Sequence, residues 1–162
     1  MVRRTFFSFH YTRDIWRANV VRNCWYRRDC EAAGFWDSSL WEKAKDRKES
    51  AIKDKISGNL KDTDVTIVLI GRFTSERKWV LYEVSESIHR KNGLLGIFIH
   101  NIKNRYGETD NQGENPFNKF FVNKGERSVY FSEFIPTYYW KKDNGYHNLR
   151  YWIENAAKKM GY

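Results

Sequence analysis

The sequence is poor in cysteine, in acidic relative to basic residues, and in long apolar runs, and each shortage removes a class of protein. Its 162 residues hold two cysteines, Cys24 and Cys30. Two thiols build no disulfide framework and their spacing fits no zinc pattern, so both read as reduced structural residues of a cytoplasmic protein. No window approaches the ~20 apolar residues that a helix needs to cross a bilayer. The apolar run at the N-terminus is broken by Ser8 and His10, so no signal peptide is visible. The expectation is a soluble protein without a membrane partner. Repeats, low-complexity segments and linkers are also absent, and 162 residues suit a single domain with one sizeable core. Acidic residues number 20 against 29 basic ones, a net charge of +9. That balance favours an anionic partner, although a lysine-rich solvated surface would give the same count. Arg3-Arg4, Arg27-Arg28 and Lys158-Lys159 are scattered rather than gathered, which argues against nucleic acid.

Aromatics are abundant, at 17%, and argue against disorder. Residues 5–9 read as a short aromatic first strand. Residues 14–28 follow a helical pattern with Trp16, Val20 and Cys24 on one stripe and Ile15 and Val21 beside it. Phe35-Trp36 suggests a short second strand, ended by Asp37-Ser38-Ser39. Residues 50–59 carry Ala51, Ile52 and Ile56 at helical spacing, with Gly58-Asn59 as a helix stop. Residues 65–70 are apolar throughout, the pattern of a strand covered on both faces. A helix then begins near Lys78, with Val80, Val84 and Ile88 as its core stripe, and runs to about Lys91. Asn92-Gly93 turns the chain into a fourth strand, 94–99. Residues 101–125 are polar and aperiodic, too long for an ordinary connection and hence a candidate lid or binding loop. Residues 127–131 are expected to form a fifth strand and 134–145 to be irregular. Leu149, Trp152, Ile153 and Ala156 mark a closing amphipathic helix.

Alternating strands and helices imply an α/β fold, a flavodoxin-like three-layer sandwich with a central parallel sheet of about five strands. Such a sheet collects its ligand loops at the carboxyl ends of the strands. Those loops are Phe9-His10-Tyr11, Asp37-Ser38, Gly71-Arg72-Phe73 and His100-Asn101. At ~100° per residue Glu83 falls at the rim of the core stripe, on the same edge as Trp79, whereas Glu86 falls nearly opposite and should face water. His89, His100 and His147 are too far apart in pattern to suggest a metal site.

Ser75, Trp79 and Glu83, on a loop and helix after an apolar strand, resemble a TIR domain, whose NAD-cleaving members carry a catalytic glutamate in a Trp-x-x-x-Glu helix. Further segments are similar to the TIR-like proteins of the Thoeris anti-phage system. These are Phe6-Phe7-Ser8-Phe9-His10-Tyr11 with Asp14, Arg17, Val20 and Arg22-Asn23, then Asp37-Ser38-Ser39-Leu40-Trp41-Glu42, Val68-Leu69-Ile70-Gly71, Trp79-Val80-x-Tyr82-Glu83 and Gly113-x-Asn115-Pro116-Phe117. The likeness is clearest over residues 3–121, with 122–162 as a C-terminal extension closing one TIR-like domain of residues 1–162. His10-Tyr11 stands where many TIR domains carry acidic or small residues.

The resemblance implies an enzyme that cleaves NAD at the nicotinamide–ribose bond and releases an ADP-ribose derivative, usually cyclic, as a signal to a partner effector. A phage-derived trigger and homo-oligomerisation are further expectations. It implies Glu83 as the catalytic residue and NAD as substrate, with no separate cofactor and no metal. Ser8, Phe9, His10, Tyr11, Asp37, Arg72 and Trp79 are the expected substrate-binding residues, and Arg77 with Arg72 can neutralise a diphosphate. The alternative is a non-catalytic TIR-like sensor or interaction module. A phosphorylatable receiver needs an acidic cluster after the first strand and an Asp after the third, where this chain has His10-Tyr11 and Gly71-Arg72.

Overall fold

The six residues of β2, Val65–Ile70, are all buried, and the rest of the molecule is laid against their two faces. The structure is a computed structural model that describes residues 3–26 and 48–162. In chain order the elements are β1 (Thr5–Ser8), α1 (Tyr11–Tyr26), α2 (Glu49–Leu60), β2, α3 (Lys78–His89), β3 (Gly93–Phe98), β4 (Phe121–Lys124), β5 (Arg127–Tyr130), β6 (Thr137–Tyr139) and α4 (Gly145–Lys159). Among the described residues four parallel strands form the sheet, in the order β1-β2-β3-β6. The register sets Ser8 beside Val68 and Ile70 beside Phe98, so the strand ends that carry the expected site lie along one edge.

Side chains alternate across this sheet. Phe7, Ile67, Leu69, Leu95 and Ile97 face α1 and α4, where they meet Val21, Trp25, Leu149 and Ile153. Val68, Ile70 and Phe98 face the other way, onto Val80, Val84 and Phe117. Farther along that second face Phe6 meets Ile52, Ile56 and Leu60 of α2. Each fully buried Leu, Ile or Phe contributes about 1.5–3 kcal/mol of transfer free energy. Among the described residues no helix is long and apolar enough to cross a membrane.

Several elements depart from the sequence reading. The expected second strand at Phe35-Trp36, with Asp37 and Cys30, lies outside the described residues. Residues 127–130 are not in the parallel sheet: β5 pairs antiparallel with β4, closed by Gly125 at φ +65°. A parallel partner needs a crossover of a dozen or more residues, whereas two strands two residues apart pair locally. The open place beside β3 is taken by β6, in the stretch expected to be irregular. Tyr138 stacks on Trp152 at 4.1 Å, and Tyr139 on Phe98 at 4.8 Å, so aromatic rings hold this short strand from both faces.

The α1 stripe is also rotated from expectation. Trp16 is 51% exposed and Val20 is exposed, while Asp14, Arg17, Ala18, Val21, Cys24 and Trp25 are buried. Two of the buried positions are charged, which a hydrophobic period cannot register. In α2 the buried residues are Ile52, Ile56 and Leu60; Ala51 is exposed and the helix runs through Gly58-Asn59 instead of stopping there. The α3 helix begins at Lys78 as the pattern predicts, and the chain leaves it through Lys91 at φ +60°. Glu86 is half-buried rather than facing water, accepting a hydrogen bond from Ser57 Oγ at 2.8 Å.

Candidate active site

Glu83 lies on α3 one turn after Trp79, and α3 packs on β1, β2 and β3. Its side chain is 1% exposed, so it sits within the core and not merely at its rim. Ser8, the last residue of β1, points to the same face of the sheet, and its hydroxyl donates a hydrogen bond to Glu83 Oε2. Glu83 Oε1 is buried and has no hydrogen-bond partner among the described residues. Burial pushes the Glu83 carboxyl up to about 8 from an ordinary 4.5, and the Ser8 hydrogen bond offsets only part of that rise. The backbone below is fixed by Ser87, whose hydroxyl donates to the Glu83 carbonyl at 2.7 Å and lies 2.8 Å from Thr66 Oγ1 on β2.

The other expected site residues divide between the two faces. Trp79 is half-buried against Phe6 and Ile52, edge-on to Tyr82 at 6.0 Å, on the face that holds Glu83. Ser75 is buried in the 3-10 turn Thr74–Glu76 that leads into α3. Phe9 is buried on the opposite face, beneath α1, with Tyr11 tilted against it at 6.2 Å. His10 and Tyr11 are half-buried where β1 passes into α1, and the His10 carbonyl accepts from Asp14 N–H at 2.9 Å. Arg72 is exposed in the loop after β2, and Arg77 is half-buried just before α3. Asp37 lies outside the described residues. Ser8 and Glu83 are thus brought into contact; Phe9 is not beside them.

On the α1 side the structure gathers a charged group that the sequence reading did not single out as a site. Asp14 packs so tightly on Gly71 that a Cβ there would meet Asp14 Oδ2 at 2.1 Å. Arg17, 3.5 Å from Asp14, is buried and donates from Nε to the Ile102 carbonyl at 2.7 Å and from Nη2 to the Glu108 carbonyl at 3.1 Å. Arg13 donates to Asp110 Oδ2 from Nε at 2.9 Å and from Nη2 at 2.7 Å. The 101–125 segment, the candidate lid or binding loop, is therefore pinned to α1 by two arginines. Its Gly113 lies against the Gly71 carbonyl, where a Cβ would come within 2.1 Å. The i, i+4 spacing of Arg13 and Arg17 was the available signal. Burial pushes Asp14 up to about 6, against the pull of Arg17 and Arg13. Burial also lowers His100, just past β3, which favours its neutral form.

A solitary desolvated carboxylate, hydrogen-bonded on one oxygen and open on the other, can accept hydroxyl donors from a ligand and stabilise a nearby positive charge. Residues 6–104 match the family described as Thoeris protein ThsB, TIR-like domain. A protein of Bacillus cereus (strain MSX-D12) named "Putative cyclic ADP-D-ribose synthase ThsB1" is 48% identical over 119 residues. That match covers 72% of this chain and 62% of the relative, so the chain spans less than two thirds of the relative's length. With the parallel α/β sheet and a match over residues 6–104, the chain belongs to the Thoeris ThsB TIR-like family.

Proposed function

We propose that this protein cleaves the nicotinamide–ribose bond of NAD and closes the remainder into a cyclic ADP-ribose, which signals to a partner effector in anti-phage defence. The observation that carries the reading is Glu83, buried, held by Ser8 on one oxygen and without a hydrogen-bond partner among the described residues on the other. The name of the Bacillus cereus relative supports the product class.

The chemistry follows from what such a carboxylate can do. The C–N bond breaks with its electrons passing to the cationic nicotinamide ring, which leaves neutral and needs no general acid. Positive charge gathers on the ribose carbon, as in other glycoside cleavages. Ribose hydroxyls hydrogen-bond to the open Oε1 and bring that carbon beside Glu83, and the ionised carboxylate stabilises the developing oxocarbenium ion. A nucleophile of the adenosine half then attacks the same carbon and loses one proton, giving the cyclic product; attack by water gives linear ADP-ribose. A dry pocket favours cyclisation. Trp79, on the face of Glu83, supplies an aromatic surface for a ring of the substrate. Because Glu83 is 1% exposed, a substrate reaches Oε1 only when its surroundings open, which fits an enzyme that awaits a trigger.

The test is incubation of the purified protein with NAD, alone and after co-expression with phage components, with released nicotinamide measured and the product identified by mass. Wild type is expected to release nicotinamide, and Glu83→Gln to lose at least about a thousandfold in rate. Equal turnover by both proteins, or none under any trigger, would overturn the reading.

A further inference from the structure

Two cations converge on one carboxylate at the α1 end of the ligand edge. Asp110 accepts from Arg13 through Nε and Nη2, and Arg72 Nη1 lies 3.9 Å from its other oxygen, Oδ1. Both guanidinium carbons lie 5.0 Å from the centroid of the Phe73 ring, so a single aromatic ring orients both arginines. Asn111 N–H also donates to Oδ1, at 2.8 Å. Behind this group Arg17 is committed to two loop carbonyls and to Asp14. Three arginines thus face two carboxylates, and the local charge is one unit positive.

A carboxylate presents two oxygens and one charge to this pair of forks. A diphosphate presents more oxygens over a longer span and at least two charges, and planar guanidinium groups bind such groups bidentately. We infer that Arg13, Arg72 and Phe73 form a clamp for a diphosphate group, and that Asp110 occupies it as an internal stand-in until a ligand displaces it. The inference rests on the reading of NAD as substrate, and it assigns the two phosphates of the dinucleotide to the α1 side of β1. Arg13 follows Ser8 by five residues, so the two Cα atoms are at most roughly 18 Å apart, a span that a dinucleotide bridges. Displacing the Asp110 carboxylate releases the Asn111 N–H and the Arg13 anchor, while the Asp110 N–H stays on the His100 carbonyl at 2.9 Å and Arg17 keeps hold of the carbonyls at 102 and 108. Ligand entry is thereby coupled to loosening of the segment that packs on Gly71 and Arg72.

The experiment measures binding of inorganic pyrophosphate to the full chain by calorimetry at fixed ionic strength, with orthophosphate as a comparison. Pyrophosphate is expected to bind more tightly than orthophosphate. Arg13→Gln and Arg72→Gln should each weaken it about tenfold, and Asp110→Asn should tighten it about fivefold by removing the internal competitor. Binding by Asp110→Asn no tighter than wild type would make Asp110 a plain prop and overturn the inference. Hydrogen exchange on the wild-type protein decides the matter even if that variant folds poorly. The Asn111 amide, which bonds the Asp110 carboxylate, should exchange faster with pyrophosphate bound, and unchanged or slower exchange would refute displacement. Pyrophosphate binding without any NAD cleavage would remove the enzyme reading and leave the clamp. Cleavage with an unchanged KM in Asp110→Asn would do the reverse.

Discussion

Two buried acids stand near the same edge of the sheet, one on each face, and they differ in their nearest partners. Asp14, under α1, has the Arg17 guanidinium 3.5 Å away; Glu83, on α3, has one serine hydroxyl and, among the described residues, no cation. Burial pushes both upward, Asp14 to about 6 and Glu83 to about 8. A paired buried acid holds structure together, because its partner goes on to grip the loop after β3. Carboxylate oxygens without a hydrogen bond occur in both acids, but among the described residues only Glu83 has no cation to relieve its desolvation cost, and so it is ready to respond to a cation or a hydroxyl from outside. The comparison separates a strut from a reactive group by neighbours alone, with burial nearly equal.

The most severe way to break the comparison is to give Glu83 no charge to lose. Its folded pKa is raised, so the stability it contributes is complete below 4.5 and is lost as pH rises through about 8. Near pH 7 this amounts to about 3 kcal/mol, at roughly 1.4 kcal/mol per unit. Glu83→Gln should therefore unfold at a higher temperature than wild type at pH 8, and the gap should close at pH 4.5. A constant gap across this range in paired melting curves would show that Glu83 is not desolvated.

Removing the cation of the other pair should act in the opposite sense. Arg17→Met leaves Asp14 buried without its partner and two loop carbonyls without a donor, a loss of about 3 kcal/mol in denaturant titrations. Asp14 itself follows the same sign rule as Glu83 over a lower window, from 3.8 to about 6. Gly71→Ala forces a methyl group into the Asp14 carboxylate and should cost about 2 kcal/mol, less if Asp14→Ala is made alongside. The smallest effect is expected at Ser8. Ser8→Ala removes the hydrogen bond that lowers the Glu83 pKa, so the rising limb of kcat/KM, expected near pH 8 in wild type, should shift to higher pH with about a tenfold loss in rate at pH 7. A limb that stays in place would mean Ser8 does not set the charge of Glu83.

Much of the fold was legible because its period is strong. Residues 65–70 were read as a doubly covered strand and are buried throughout, and Val80 and Val84 of α3 fill the core as their spacing required. Leu149, Trp152, Ile153 and Ala156 of α4 are likewise all buried. The failures came where chemistry replaced periodicity. Asp14 and Arg17 occupy the buried face of α1, and Trp16 and Val20 were displaced from it. Residues 127–130 had strand character, yet a two-residue turn at Gly125 drew them into a local hairpin. At the site, Glu83 and Trp79 could be picked out from one helix and the family motif. The contact of Glu83 with Ser8 spans 75 residues and needed the sheet register to appear. Arg13 and Asp110, 97 residues apart, left no local signal beyond the helical spacing of two arginines.

By itself the sequence determined which segments are buried on two faces and which on one, because the spacing of apolar residues is a property of the chain and survives any packing. It also determined the family, through short motifs in a set order. Only the tertiary structure decided the environment of each acid. Proton affinity depends on what lies within a few ångströms: Glu83 meets Ser8 from 75 residues away through the parallel register of β1 and β2, whereas Asp14 has Arg17 in its own helix and owes its burial to packing on Gly71.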